Sequence, residues 1–166
     1  MLGPPGAGKT RVADEIAARL GIEATHLDDL HWEPGWIERP WDDLVRRVGP
    51  IVERPSWVVE GNYVAVRRLH VASADLVVWL DLPLSVTLPR LVLRCLDRGL
   101  RRVPCCNGNY ESLLHTLRPK DSILWWALTT DRRRRAEFGR EFASAPLVRL
   151  RHPGAVRRWL RGIGRS

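Results

Sequence analysis

The chain has 166 residues, 27 Lys plus Arg against 19 Asp plus Glu, a formal net charge of +8, and 45% hydrophobic residues. That length suits one domain, residues 1–166, with a real core, and the composition excludes a disordered tail. Apolar runs such as Leu76–Leu80 fall far short of the ~20 residues of a membrane span, no signal-peptide pattern opens the chain, and Cys95, Cys105 and Cys106 are too few for a disulfide framework, so a cytoplasmic, reduced protein with no membrane partner is expected.

The chain opens on Gly3-Pro4-Pro5-Gly6-Ala7-Gly8-Lys9-Thr10, which satisfies the phosphate-binding loop pattern at Gly3, Gly8, Lys9 and Thr10. Glycines let consecutive backbone N–H groups turn inward as an anion nest. Lys9 would set a compact charge against the β- and γ-phosphates of ATP, and the Thr10 hydroxyl would ligate Mg²⁺. Val12, Ile16, Ala17 and Leu20 then give a helix one apolar face, with Gly21 as its stop. A strand normally feeds such a loop, and only Met1 and Leu2 precede it, so the first strand is expected to be largely missing from the sequence given. A translation start several residues upstream is the favoured explanation, against a true lack of the strand.

Ala24–Leu27 is a short strand ending at Asp28 and Asp29. Trp41, Leu44, Val45 and Val48 keep helical spacing after Pro40, and Gly49-Pro50 is expected to interrupt that helix. Trp57–Val59 is a strand with Glu60, Gly61 and Asn62 at its end, and Leu76–Leu80 is the clearest buried strand, ending at Asp81. Ser85 is expected to cap a helix running to Gly99, with Pro89 in its first turn, and Ser122 to cap another carrying Leu124, Trp125 and Leu128. Leu147–Leu150 is a last strand, and Val156, Trp159 and Leu160 line one face of a C-terminal helix. Strands alternating with helices mean an α/β protein, a parallel sheet with helices on both sides.

In such sheets ligands bind at the carboxyl ends of the strands. That rule gathers Gly3–Thr10, Asp28, Asp29, Glu60 and Asp81 at one edge, an arrangement suited to Mg²⁺-dependent phosphoryl transfer. Glu60 is placed on the metal side, directly or through water, and Asp28 is the candidate for orienting the acceptor or acting as base. Asp29 reads as a local cap and Asp81 as structural. Charge is uneven as well: residues 1–84 hold 9 basic and 13 acidic side chains, residues 85–166 hold 18 and 6, so the second half implies an anionic partner.

These segments resemble a known family. The loop Gly3–Thr10, the stretch from His26 to Trp36, Val58–Tyr63, Asp75–Pro83 and Val148–Pro153 occur in the order found in the adenylate-kinase-like bacterial DNA topology modulation proteins. The resemblance spans nearly the whole chain. It implies a three-layer α/β/α P-loop NTPase fold, nucleotide-kinase-like, with parallel sheet order 2-3-1-4-5 and the largely missing strand at its centre. It also implies ATP binding at Gly3, Pro4, Pro5, Gly6, Ala7, Gly8, Lys9 and Thr10, and an acidic position at Glu60, where relatives usually carry Asp. Residues 100–120 then look like a lid, with Arg101, Arg102 and Arg118 around an Asn107–Tyr110 turn and Arg90, Arg94 and Arg98 on the helix leading in. Arg94 and Arg102 are the first candidates for closing on the phosphates.

Other features carry less. Arg132–Arg135 spread around a helix axis and read as solvated surface, with nucleic acid as the sharper minority reading. Cys95, Cys105, Cys106 and His115 lack zinc-site spacing, and His26 and His31 read as strand and loop residues. Trp32 and Trp36 flank a turn near the acceptor side, where they either stack on a base or sugar or pack the loop. The leading function is transfer of the γ-phosphate of Mg·ATP to a nucleotide or other small acceptor. The alternative is an ATP-dependent nucleic-acid-binding or regulatory protein using the basic half.

Overall fold

A computed structural model describes residues 1–111, 122–142 and 145–164. In chain order its elements are α1 (Lys9–Leu20), β1 (Ala24–His26), α2 (Leu27–His31), β2 (Trp32–Glu33), β3 (Ile37–Glu38), α3 (Trp41–Val52), β4 (Val58–Glu60) and α4 (Val64–Ala72). They continue with β5 (Val77–Leu80), α5 (Leu84–Arg101), β6 (Pro104–Cys105), β7 (Asn109–Tyr110), α6 (Ile123–Glu141), β8 (Leu147–Leu150) and α7 (Pro153–Gly162). The fold is mixed α/β.

Two parallel strand pairs form its frame. β1 pairs with β4, Ala24 opposite Val58 and His26 opposite Glu60. β5 pairs with β8, Val77 opposite Leu147 and Leu80 opposite Leu150. Met1 and Leu2 bond to both pairs. The Met1 amino group donates to the Val59 carbonyl (2.6 Å) and the Gly61 N–H to the Met1 carbonyl (3.2 Å). On the other side Leu2 N–H donates to Val78 and Leu80 N–H to Leu2, each at 2.9 Å.

Strand side chains alternate between faces, and different helices cover each. Val58, Val78 and Leu80 pack with Val12 and Ile16 of α1 and with Val156 and Leu160 of α7. Val59 packs with Leu44 and Val48 of α3 and Val66 of α4. Leu2, Val77 and Trp79 pack with Phe138 of α6 and with Phe142, the Trp79 and Phe138 rings meeting edge to face at 5.7 Å. Because β5 is buried on both faces, its sequence is a continuous apolar run. A cavity of about 410 Å³ opens at the end of the strands remote from Glu60, between Trp57, His70, Leu76 and Trp159.

Several local expectations are corrected. α3 runs through Gly49 and Pro50 to Val52, because Ile51 and Val52 are buried against Val59 and Leu27 and their packing outweighs the backbone bond Pro50 forfeits. α5 starts at Leu84 with Pro83 as its cap residue and no side-chain cap, and Pro89 lies in its second turn. The strand at Ala24 stops at His26, where the chain turns directly into α2. Ser122 does cap α6, its hydroxyl accepting from Leu124 N–H at 3.2 Å. The stretch from 112 to 121, with His115, Arg118 and Lys120 of the expected lid, lies outside the described residues. Among the described residues, no helix is long and apolar enough to cross a membrane.

Candidate functional site

The loop Gly3–Thr10 leaves the Met1–Leu2 stub and enters α1, with Gly8 as the helix cap residue in a left-handed conformation (φ 85°). Its shape is held from outside. A Cβ on Gly6 (φ 76°) would stand 2.2 Å from the Thr87 carbonyl oxygen of α5, so only glycine lets the loop lie so close to that helix. Asn62, just past β4, clasps the Gly3 peptide: its Nδ2 donates to Gly3 O (2.6 Å) and its Oδ1 accepts from Gly3 N (3.2 Å). The start of α1 adds unpaired N–H groups and a positive dipole end at the same place.

Lys9 Nζ lies 3.4 Å from the Pro4 carbonyl, folded back over its own loop. Burial lowers its pKa from the ordinary lysine value, Glu60 and Asp28 oppose that shift, and Arg94 and Arg134 add to it. Lys9 therefore shares one electrostatic environment with two carboxylates and two arginines far apart in sequence. The Thr10 hydroxyl donates to Glu60 Oε1 at 3.0 Å. Glu60 is buried, and burial would raise its pKa, but the His26 hydrogen bond, the Lys9 charge and the Thr10 hydroxyl together hold it below the usual value.

A metal here would find the Thr10 hydroxyl and the Glu60 carboxylate, both hard oxygen donors. Mg²⁺ binds proteins through one or two such groups and completes its shell with water and phosphate oxygens. The residues fit that ion. They do not form a multi-ligand cage: among the described residues no group of three or more His, Cys, Asp or Glu side chains is arranged to hold a metal.

Asp28 lies in the first turn of α2, exposed, and Tyr63 donates its phenol to Asp28 Oδ1 at 2.6 Å. Burial, then the Asp28 charge, raises the Tyr63 pKa, so the phenol stays a donor. Beside it His31 is buried in an aromatic group, stacked on Trp41 at 4.6 Å and close to Trp32 and Tyr63. Burial lowers the His31 pKa. His31 is thus a packed helix residue, not a loop one.

The described part of the expected lid is the end of α5 and the β6–β7 hairpin. That hairpin is fastened to the β2–β3 hairpin: Asn109 accepts from Trp36 N–H (2.8 Å) and donates to the Glu33 carbonyl (2.9 Å), and Asn107 donates to the Trp32 carbonyl. Asp29 accepts from Asn107 N–H, so it caps this neighbouring turn and not its own helix. Trp36 bonds the Tyr110 carbonyl through its indole N–H and meets Trp32 edge to face at 5.4 Å. Both tryptophans are engaged in packing the two hairpins together.

The arginines separate. Arg94 lies 3.8 Å and Arg98 2.9 Å from Glu111 Oε1. Arg102 is the exposed cap residue at the far end of α5 (φ 49°). At about 1.5 Å per helical residue it stands roughly 22 Å beyond Thr87, so the structure does not bring it to the loop. The arginine run divides: Arg132 and Arg133 are exposed, as expected, whereas Arg134 and Arg135 depart from the solvated-surface expectation. Arg134 is buried and paired with Asp131 (2.7 Å), and Arg135 pairs with both Asp131 and Asp81 at 2.9 Å, because α6 packs those turns against the strand end. Asp81 also takes Arg149 at 2.7 Å, so its charge is spent on structure, as expected.

Sequence reasoning passed over His26, Asn62, Tyr63 and Glu111. The segment Glu60-Gly61-Asn62-Tyr63 after a strand was a visible signal for two of them; the other two show only through contacts distant in sequence.

No family model and no solved structure matches the chain. A curated cytidylate kinase from Haloquadratum walsbyi is 32% identical over 110 residues, covering 55% of this chain and 55% of its own. The chain thus spans about half the length of the curated relative it matches. The likeness is a distant homology to a nucleotide kinase.

Proposed function

We propose that this protein is a nucleotide-kinase-like phosphotransferase that moves the γ-phosphate of Mg·ATP to a nucleotide or other small acceptor. The observation that carries the reading is the Thr10–Glu60 contact: the last residue of the phosphate-loop pattern meets a buried carboxylate from β4, 50 positions away in sequence, at 3.0 Å. The distant cytidylate kinase homology supports it. The finer fold reading is a three-layer α/β/α P-loop NTPase, with sheet order 2-3-1-4-5 running through β1, β4, the Met1–Leu2 stub, β5 and β8. The backbone bonds of Met1 and Leu2 to β4 and β5 support that order.

In this reading the loop amides and the start of α1 receive the phosphates, and Gly6 and Asn62 hold the loop in shape beforehand. Lys9 moves from the Pro4 carbonyl to the β- and γ-phosphates, where the anion offsets its burial. Thr10 and Glu60 hold Mg²⁺, directly or through water. The bound ion neutralises charge on the transferring phosphoryl group. Asp28, steadied by Tyr63, orients the acceptor, and Arg94 exchanges Glu111 for a phosphate oxygen. The nucleic-acid alternative leans on the basic second half and on Arg132–Arg135, and of that run Arg134 and Arg135 are already paired, with Asp131 and with Asp131 and Asp81. Calorimetric titration with ADP in Mg²⁺ tests the reading: the wild type binds, and Lys9→Ala binds at least tenfold more weakly. Equal affinity of the two would remove the phosphate loop from the account.

A further inference from the structure

His26 is not a member of the phosphate-loop pattern, yet its ring stands between two carboxylates from different elements. Its Nδ1 lies 3.2 Å from Glu60 Oε1 on β4, and its Nε2 lies 3.0 Å from Asp14 Oδ1 on α1. A carboxylate only accepts, so an imidazole facing one on each side is satisfied only when both nitrogens carry a proton.

The geometry at Glu60 is asymmetric. The Thr10 hydroxyl and His26 Nδ1 both end on Oε1, and among the described residues no hydrogen bond or ion pair ends on Oε2. A glutamate side chain has several rotatable bonds, and two donors on one oxygen fix which oxygen is left over. Asp14 in turn fixes the ring from α1, the helix that the loop itself begins.

We propose that His26 is a positioning residue for the metal side of the site, holding Glu60 by Oε1 so that Oε2 is presented to the Mg²⁺ of a bound nucleotide. This rests on the phosphotransferase reading. The chain then uses an Asp14–His26–Glu60 relay across α1, β1 and β4 to orient one metal-facing oxygen, the task that outer partners of metal ligands commonly perform.

The test is the Mg²⁺ dependence of ADP binding, measured by calorimetry as the ratio of affinities in Mg²⁺ and in EDTA. His26→Ala should cut that ratio by about 10- to 100-fold, the usual cost of losing an outer partner, while affinity in EDTA stays within about threefold. Two further variants keep the test decisive if the alanine protein fails to fold. The amide nitrogen of His26→Asn falls near Nδ1 and keeps the bond to Glu60, so the ratio is retained. That of His26→Gln falls near Nε2, towards Asp14, so the ratio drops. A His26→Ala ratio equal to wild type, or Asn and Gln variants with the same ratio, would overturn the proposal while leaving nucleotide binding intact. Wild-type protein that binds no ADP in either buffer would overturn it together with the phosphotransferase reading.

Discussion

Gly6 and Gly8 look alike in the sequence and differ in the structure, which allows a paired test. Both have positive φ, 76° and 85°, so alanine at either pays the strain of a left-handed conformation, about 1–2 kcal/mol. At Gly8 a Cβ meets nothing within 4 Å. At Gly6 it would stand 2.2 Å from the Thr87 carbonyl oxygen and 3.2 Å from Leu91 Cβ, both on α5. Neither can retreat easily, since Leu91 is buried and Thr87 is helix backbone, and overpacking of this kind adds about 1–3 kcal/mol. Gly6→Ala should therefore cost roughly 2–5 kcal/mol and Gly8→Ala roughly 1–2 kcal/mol. At about 2–4 °C per kcal/mol for a chain this size, the melting temperatures separate by several degrees. The open space at Gly8 lies in the proposed phosphate cradle, so Gly8→Ala should lose ADP affinity while keeping most of its stability. Thermal melts with calorimetry on both variants read the two quantities. Equal losses of melting temperature would refute the assigned packing of the loop against α5.

Three other outcomes follow from particular contacts. Asp81→Asn removes a buried carboxylate (2% exposed) from Arg135 and Arg149, and because both arginines remain about one-third exposed the loss should be about 2–3 kcal/mol, read as a lower melting temperature; an unchanged one would contradict the pairing. Burial, aided by the Arg67 charge, lowers the His70 pKa from 6.5 to about 4. The unfolded chain then takes the proton first, so stability falls as pH drops from 6.5 to about 4, by about 3 kcal/mol in full. Denaturant titrations should show that slope reduced in His70→Leu, and an identical slope would refute it. Tyr63→Phe removes one hydrogen bond to Asp28 and should raise the acceptor KM about tenfold with kcat for ATP hydrolysis unchanged, whereas an unaltered KM would separate Asp28 from the acceptor.

What could be read beforehand follows physical lines. The buried strand at Val77–Leu80 and the helix after the loop announce themselves through unbroken apolar runs and 3.6-residue spacing. α4 does not, because its buried face carries Arg67 and His70 beside Val66, so polar residues interrupt the periodicity. The two small hairpins escaped for another reason: each strand is two residues long, and their stability comes from Asn107 and Asn109 bridging across the molecule. At the site, the loop is a contiguous pattern and so is legible, and the strand-end rule places Glu60 beside it. Arg135 departs from the expected solvated surface because a run of four arginines says nothing of Asp81, which reaches it from β5's end, and Arg134 because the run does not tell which helix turn is buried. His26 is the strand residue its sequence suggests, and its contacts at the site were not legible because both partners lie on other elements.

The central claim is phosphoryl transfer, and the most direct measurement follows the labelled γ-phosphate of Mg·ATP across cytidylate, the other nucleoside monophosphates, nucleosides and small alcohols. The account predicts acceptor-dependent transfer to one class, falling about 10²–10³-fold in Lys9→Ala, the scale of losing one preorganised contact to the transition state. Transfer to none of these acceptors, or equal transfer by Lys9→Ala, would contradict it.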